Sequence, residues 1–155
     1  MVRRLLRLTP QEWGWLVRAY LLLLRARARR GDVREVTRLA SRPHRGGDAL
    51  PALTEEQRAL IAQRARLIGI AARHPFLWAH CLERSLALAW WLEGEGIRVE
   101  LRFGMRRVGG RLCAHAWVEY AGEVLNDRQR VVARFASLAR PDHLAAGGPG
   151  AEGRP

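Results

Sequence analysis

The chain has 155 residues, 48% of them hydrophobic, which supports one domain with a real core and excludes wholesale disorder. Its formal net charge is +12, and all 27 basic side chains are arginine. Arginine without lysine reflects codon usage as much as function, so charge alone points to a solvated Arg-rich surface, with a surface for an acidic peptide, an acidic protein or nucleic acid as the functional alternative.

Two cysteines without a C-x-x-C pair, and a basic opening MVRRLLRLTP without a small-residue cleavage site, predict free thiols in a reducing cytoplasm. The most apolar stretch, Trp13 to Leu24, contains Arg18 and is only about two-thirds as long as a membrane span. It reads as a buried or membrane-surface helix.

Thr9-Pro10-Gln11-Glu12 starts that helix: Thr9 caps it, Pro10 takes the first helical position and Glu12 completes a capping box. The helix runs through WGWLVRAYLLLLRARARR and stops near Gly31, apolar over much of its middle and basic at its end, where cations suit the dipole. A short second helix is predicted from Asp32 to Leu39, then a Gly- and Pro-rich linker, SRPHRGGDALPAL. Thr54-Glu55-Glu56-Gln57 is another capping box. Its helix places Leu60, Ile61, Leu67, Ile68 and Ala71 on one face, with Arg58, Arg66 and Arg73 largely off it, and Pro75 ends it.

FLWAH leads into CLERSLALAWWL, a helix in which Leu82, Leu86, Ala89 and Trp90 keep helical spacing before EGEG terminates it. The pattern then turns to alternation. Ile97, Val99, Leu101, Phe103 and Met105 interleave with Arg98, Glu100, Arg102 and Gly104, a strand with one buried face. After a turn at Val108-Gly109-Gly110 comes the strand LCAHAWVEY, then a turn at Gly122 and a third strand, EVLND. VVARFASL reads as a strand or a helical turn, and AAGGPGAEGRP has the composition of disorder. Short turns between the strands predict an α+β fold, with an antiparallel sheet packed on the helix that opens at Cys81. The expected divisions are a helical region over 1–53, a core over 54–143 and a disordered tail over 144–155. No internal repeat is present.

Cys81, His115 and Asp127 follow one another as thiol, imidazole and carboxylate, from a helix start and two strands. A helix N-terminus stabilises a thiolate through its unpaired N–H groups and its dipole. An imidazole beside it protonates a leaving amine, and a carboxylate behind the ring fixes its tautomer. This is the machinery of a cysteine peptidase. Taken singly, Cys81 could be a small buried apolar residue, His115 hydrogen-bonded filler, and Asp127 a turn residue with Asn126 as the true orienter. Jointly they meet one geometric demand. Cys113, His115, Trp117 and Glu119 share one strand face, so Trp117 flanks any cleft that His115 faces, and His80 is placed to tune the thiol. The Cys81 N–H is one oxyanion donor, with FLWAH the expected source of the second. A zinc site on Cys81, Cys113, His115 and Asp127 competes, but structural zinc sites carry two close-spaced ligand pairs and only Cys113 and His115 form one. No metal or cofactor is expected. Two other functions fit the residues: an acyl transferase on the same scaffold, and a basic non-enzymatic adaptor.

The run C-L-E-R-S-L-A-L-A-W-W-L, a strand ending F-G-M, and A-H-A-W-V-E-Y-x-G-E-V-L-N-D together resemble the transglutaminase-like peptidase of lasso-peptide biosynthesis, from about Pro75 to Leu138. The resemblance implies a papain-like bacterial cysteine protease that removes the leader from a ribosomally made precursor peptide. A separate asparagine-synthetase-like, ATP-using cyclase then closes the macrolactam. Carried over, Cys81 is the nucleophile, His115 the base and Asp127 the third member, while Arg84 and Trp117 match motif positions of structural or site-lining character. Because the N-terminal part reads as helices and a loop, without the β-hairpin of a winged-helix leader-recognition domain, the resemblance is to the stand-alone form. That form implies a separate leader-binding protein. The helix from Thr9 and the Arg-rich surface are its expected docking surfaces, or those of the cyclase or a membrane face. No nucleic-acid partner is expected.

Overall fold

Both capping boxes form in the computed structural model, which describes residues 9–40 and 50–137. Thr9 Oγ1 accepts from the Glu12 N–H at 3.2 Å while the Glu12 carboxylate accepts from the Thr9 N–H at 2.9 Å, opening helix α1 (Pro10–Arg29). A short helix α2 (Val33–Ala40) follows. Thr54 and Gln57 exchange the same pair of bonds at the start of α3 (Glu55–Ala71). This helix stops at Ala71, well before Pro75, with a run of turns between them. Helix α4 (Cys81–Gly94) is more apolar over its whole length than α1, α2 or α3 and is buried without a break from Ser85 to Leu92.

The other helices build the sleeve around α4. Ala19, Leu23 and Ala26 of α1, Leu39 of α2, and Ile61, Leu67 and Ile68 of α3 share one apolar cluster with Leu86, Leu88 and Leu92. That cluster runs across residue 53. Linker residues 41–49, the opening residues 1–8 and the expected tail lie outside the described residues.

Arginine and tryptophan fasten the sleeve. Arg18 lies over the Trp91 ring and Arg25 over Trp90, joining α1 to α4. The buried guanidinium of Arg64 faces Trp15 at 4.1 Å and Trp91 at 5.2 Å, and pairs with Glu95 at 3.0 Å. Helix α2 is tied by Glu35, which accepts from Trp90 Nε1 at 2.7 Å, and by Arg38, which bridges Glu35 and Glu93. The outer face of α1 is left open: Trp13, Val17, Leu21 and Leu24, at helical spacing, are exposed. No helix among the described residues is long and apolar enough to cross a membrane.

The chain then makes a four-stranded antiparallel sheet from β1 (Glu100–Val108), β2 (Arg111–Tyr120), β3 (Glu123–Val124) and β4 (Ala136–Ser137), in the order β3-β2-β1-β4. Between β3 and β4 lies a single turn of helix, α5 (Gln129–Val132), so VVARFASL supplies both helix and strand. Val99, Leu101, Val118 and Tyr120 put one sheet face into the helical cluster. The opposite face carries Trp117, buried but outside that cluster. An α+β architecture results, with α4 between helices and sheet.

Two outcomes test this packing. Arg64→Ala removes one partner of a buried ion pair and both ring contacts, and is expected to cost about 3 kcal/mol in chemical denaturation. Glu35 is held at about 2, below its ordinary value of 4.5, chiefly by its hydrogen bond from Arg38, against the opposing effect of burial. A depressed carboxyl stabilises the fold above its unfolded value and loses that contribution as pH falls. Glu35→Gln should therefore lower the urea midpoint at pH 7, with the gap to wild type closing between pH 4.5 and about 2.

Candidate active site

Cys81 is the first residue of α4, directly after the N-cap His80. A carboxylate sets this helix start: Glu83, 2% exposed, accepts the His80 N–H at 2.6 Å and turns its other oxygen toward Arg30 at 3.6 Å. The His80 ring makes no capping bond. Leading into the helix is a tightly bonded turn. The N–H groups of Leu77 and Trp78 both donate to His74 O, that of Ala79 donates to Ala72 O, and Arg27 donates to Leu77 O at 2.6 Å. Leu77 is buried as the anchor, while Phe76 and Trp78 on either side are 85% and 73% exposed. Trp78 has φ +35°, a left-handed conformation uncommon for a large side chain.

This turn bears on the expected second oxyanion donor. Within FLWAH the N–H groups of Leu77, Trp78, Ala79 and His80 are engaged. Closing the turn and capping α4 use them.

His115 lies in β2 opposite Gly104 of β1. Its Nε2 is 2.6 Å from Asp127 Oδ2, and Asp127 Oδ1 accepts the Arg128 N–H at 2.7 Å, so the carboxylate is itself oriented. A carboxylate accepts a hydrogen bond from the ring nitrogen it faces, which keeps the N–H on Nε2 and leaves Nδ1 as the nitrogen able to accept or deliver a proton. The ring stacks on Phe135 at 5.0 Å and on Trp117 at 6.0 Å between centroids. The Trp117 indole N–H donates to Glu119. Gly104 makes room for these rings: a Cβ there would stand 2.7 Å from Phe135 Cβ and 2.9 Å from Trp117 Cη2.

Asn126 does not face the imidazole. Its Oδ1 accepts from Val118 N and its Nδ2 donates to Ser85 Oγ, both at 2.9 Å. Ser85 Oγ in turn donates to Ala116 O at 3.0 Å. Cys81 lies one helical turn before Ser85, and Ala116 is the neighbour of His115, so α4 is bonded to the β2 backbone one residue from His115. The thiol is half-buried and free, and among the described residues no hydrogen bond joins it to His115. Such contacts commonly tighten only when substrate binds. Arg84 is half-buried, its backbone N–H bonding to His80 O in the first turn. Cys113 is a second free, half-buried thiol. Among the described residues, no group of three or more His, Cys, Asp or Glu side chains is gathered as a metal would require.

Glu83, Ser85, Gly104 and Phe135 thus join the site beyond the residues the sequence singled out. Only the F-G-M run hinted at Gly104. The Gly104→Ala variant should cost on the order of 1–3 kcal/mol through overlap with Phe135 and Trp117. It should also perturb the His115 imidazole signals in proton–nitrogen NMR, which checks that the glycine serves this ring.

Residues 17–140 match the family model of the transglutaminase-like superfamily. No curated protein and no solved structure matches the chain. The family match takes in most of α1 as well as the sheet and extends through β4, so helical sleeve and site-bearing sheet fall within one family unit. It covers well over half of the chain, which therefore belongs to the transglutaminase-like superfamily.

Proposed function

We propose that this protein is a cysteine peptidase that removes the leader from a lasso-peptide precursor, freeing the core amine for a partner cyclase. The observation that carries the reading is the oriented His115–Asp127 pair, its imidazole on a strand that is hydrogen-bonded to the helix that begins at Cys81. Cysteine-based chemistry is usual in the superfamily. The narrower choice of a leader peptide rests on the resemblance of the Cys81 helix and the AHAWVEY strand to the lasso-peptide enzymes.

In the proposed cycle the Cys81 thiolate attacks the carbonyl carbon at the leader–core junction, and the Cys81 N–H at the helix start faces the developing oxyanion. The C–N bond breaks as His115 Nδ1 gives its proton to the leaving amine. Water then adds to the thioester, its proton passing to the same nitrogen, and leader acid and free thiolate separate. Asp127 holds the ring and stabilises the imidazolium that forms. This chemistry calls for no metal or cofactor.

A leader-recognition protein is the proposed partner, docking on the exposed apolar stripe of α1 at Trp13, Val17, Leu21 and Leu24. Ala19, Leu23 and Ala26 on the opposite side of α1 belong to the core, so surface substitution tests this docking more cleanly than truncation.

The experiment is mass spectrometry of a lasso-type precursor incubated with this protein and a leader-binding partner. Wild type should cut at the leader–core junction and Cys81→Ala should not. Asp127→Asn should fall about a hundredfold to ten-thousandfold through the wrong tautomer. Equal cleavage by Cys81→Ala would remove the thiol from the mechanism, and an amide product in place of the free acid would identify an acyl transferase. The Val17→Glu/Leu21→Glu pair should weaken partner-dependent cleavage about tenfold or more without lowering the melting temperature.

A further inference from the structure

A serine sits on the wall of the most buried helix, where alanine would be the better helix former and would carry no polar group into the core. Ser85 is 0% exposed, with Leu86, Ala87, Leu88 and Ala89 following it. Its hydroxyl is used in both directions: it donates to Ala116 O at 3.0 Å and accepts from Asn126 Nδ2 at 2.9 Å. Asn126 Oδ1 completes the chain by accepting the Val118 N–H at 2.9 Å.

The reason for this chain lies in the sheet. Strand β3 pairs with β2 only at Glu119 and Tyr120, and the Leu125 N–H extends the ladder by one bond, to Val118 O. Beyond that point no strand among the described residues lies along the outer edge of β2, and buried backbone groups at Ala116 and Val118 need partners. Ser85 supplies one from a helix. Asn126 supplies the other from the segment that has just left the sheet.

Each group in the chain neighbours a member of the site. Ser85 is one helical turn after Cys81, Ala116 is the residue after His115, and Asn126 is the residue before Asp127. Three segments from separate parts of the sequence therefore meet at one hydroxyl. Resting on the assignment of Cys81, His115 and Asp127 as the reacting set, we infer that Ser85 and Asn126 are positioning residues, a side-chain strap that fixes the nucleophile helix against the strand of the base and the segment of the carboxylate. Neither touches a reacting atom in this scheme. Their effect runs through the placement of Cys81 relative to His115, where a shift near 1 Å is enough to matter.

The test reads the thiol directly, without peptide substrate. Alkylation of Cys81 by iodoacetamide is followed from pH 5 to 9 by mass spectrometry, with Cys113 as an internal reference, in wild type, His115→Ala, Ser85→Ala, Asn126→Ala and the Ser85→Ala/Asn126→Ala double variant. A thiol assisted by an imidazole reacts below the pH at which an isolated thiol does, and His115→Ala should abolish that acidic arm. Ser85→Ala and Asn126→Ala should each lower the Cys81 rate near pH 6 by roughly tenfold, toward the His115→Ala curve, and leave Cys113 unchanged. The double variant should match the singles, because one strap is lost in each case. Wild-type Cys81 profiles in both single variants, with only the melting temperature reduced, would overturn the proposal and leave the strap as an edge cap. A Cys81 profile indifferent to His115→Ala would instead remove the assignment on which the proposal rests. Asn126→Asp guards against a misfolded variant: it keeps an acceptor for Val118 N–H but has no donor for Ser85, so a fold held intact with a shifted Cys81 curve isolates the missing link.

Discussion

Burial of α4 is the constraint on which the rest of the structure depends. From Ser85 to Leu92 the helix is enclosed, which leaves half-exposed Cys81, Leu82 and Arg84 at its start. An enclosed helix must be apolar on every side, and LALAWWL is. Its wide girth comes from two adjacent tryptophans. These in turn dictate what surrounds them, because each indole N–H needs an acceptor and each face needs a flat partner. Glu35 and Glu95 serve the N–H groups, while Arg18, Arg25 and Arg64 cover the rings. A helical sleeve of α1, α2 and α3 is thus fitted to one helix.

That fitting changes the meaning of the arginine-rich composition. A solvated surface describes most of the 27 basic residues, even Arg18 and Arg25 over the tryptophans of α4, but not Arg64, which is buried against Trp15 and Trp91. A planar guanidinium can lie on an indole and still pair with a carboxylate in its own plane, as Arg64 does with Glu95. Lysine has no such geometry. Part of the positive charge is therefore internal fastening.

The sequence made legible whatever repeats along one dimension. Thr9 with Glu12 and Thr54 with Gln57 fix helix starts by spacing alone, and the alternation from Val99 to Phe103 marks a strand with a buried side. Contacts between distant segments were not legible. Asp127 and Asn126 were open alternatives behind His115 because adjacent residues point apart, and only the path of the chain after β3 brings Asp127 to the ring and Asn126 to Ser85. Ser85 and Arg64 are polar residues in helices read from apolar spacing, which carries no sign that both are buried. Phe135 lay in a segment readable as strand or helix, and its contact with His115 depends on the turn of α5 that precedes it. Polar groups satisfied across the core leave no periodic trace.

The neighbours of α4 also impose an order of events. Its sleeve begins with α1 at Pro10, whereas the strand and the side-chain amide it meets arrive only at Ala116 and Asn126. Contacts this far apart along the chain close late, after the local helices have formed. During synthesis the Cys81 thiol emerges with helical company but without its ring, since β2 and the segment after β3 are still to come. On the proposed assignment the nascent protein is in this sense inert, its thiol joining a proton-transfer pair only once the two remote halves of the domain have docked on the same helix.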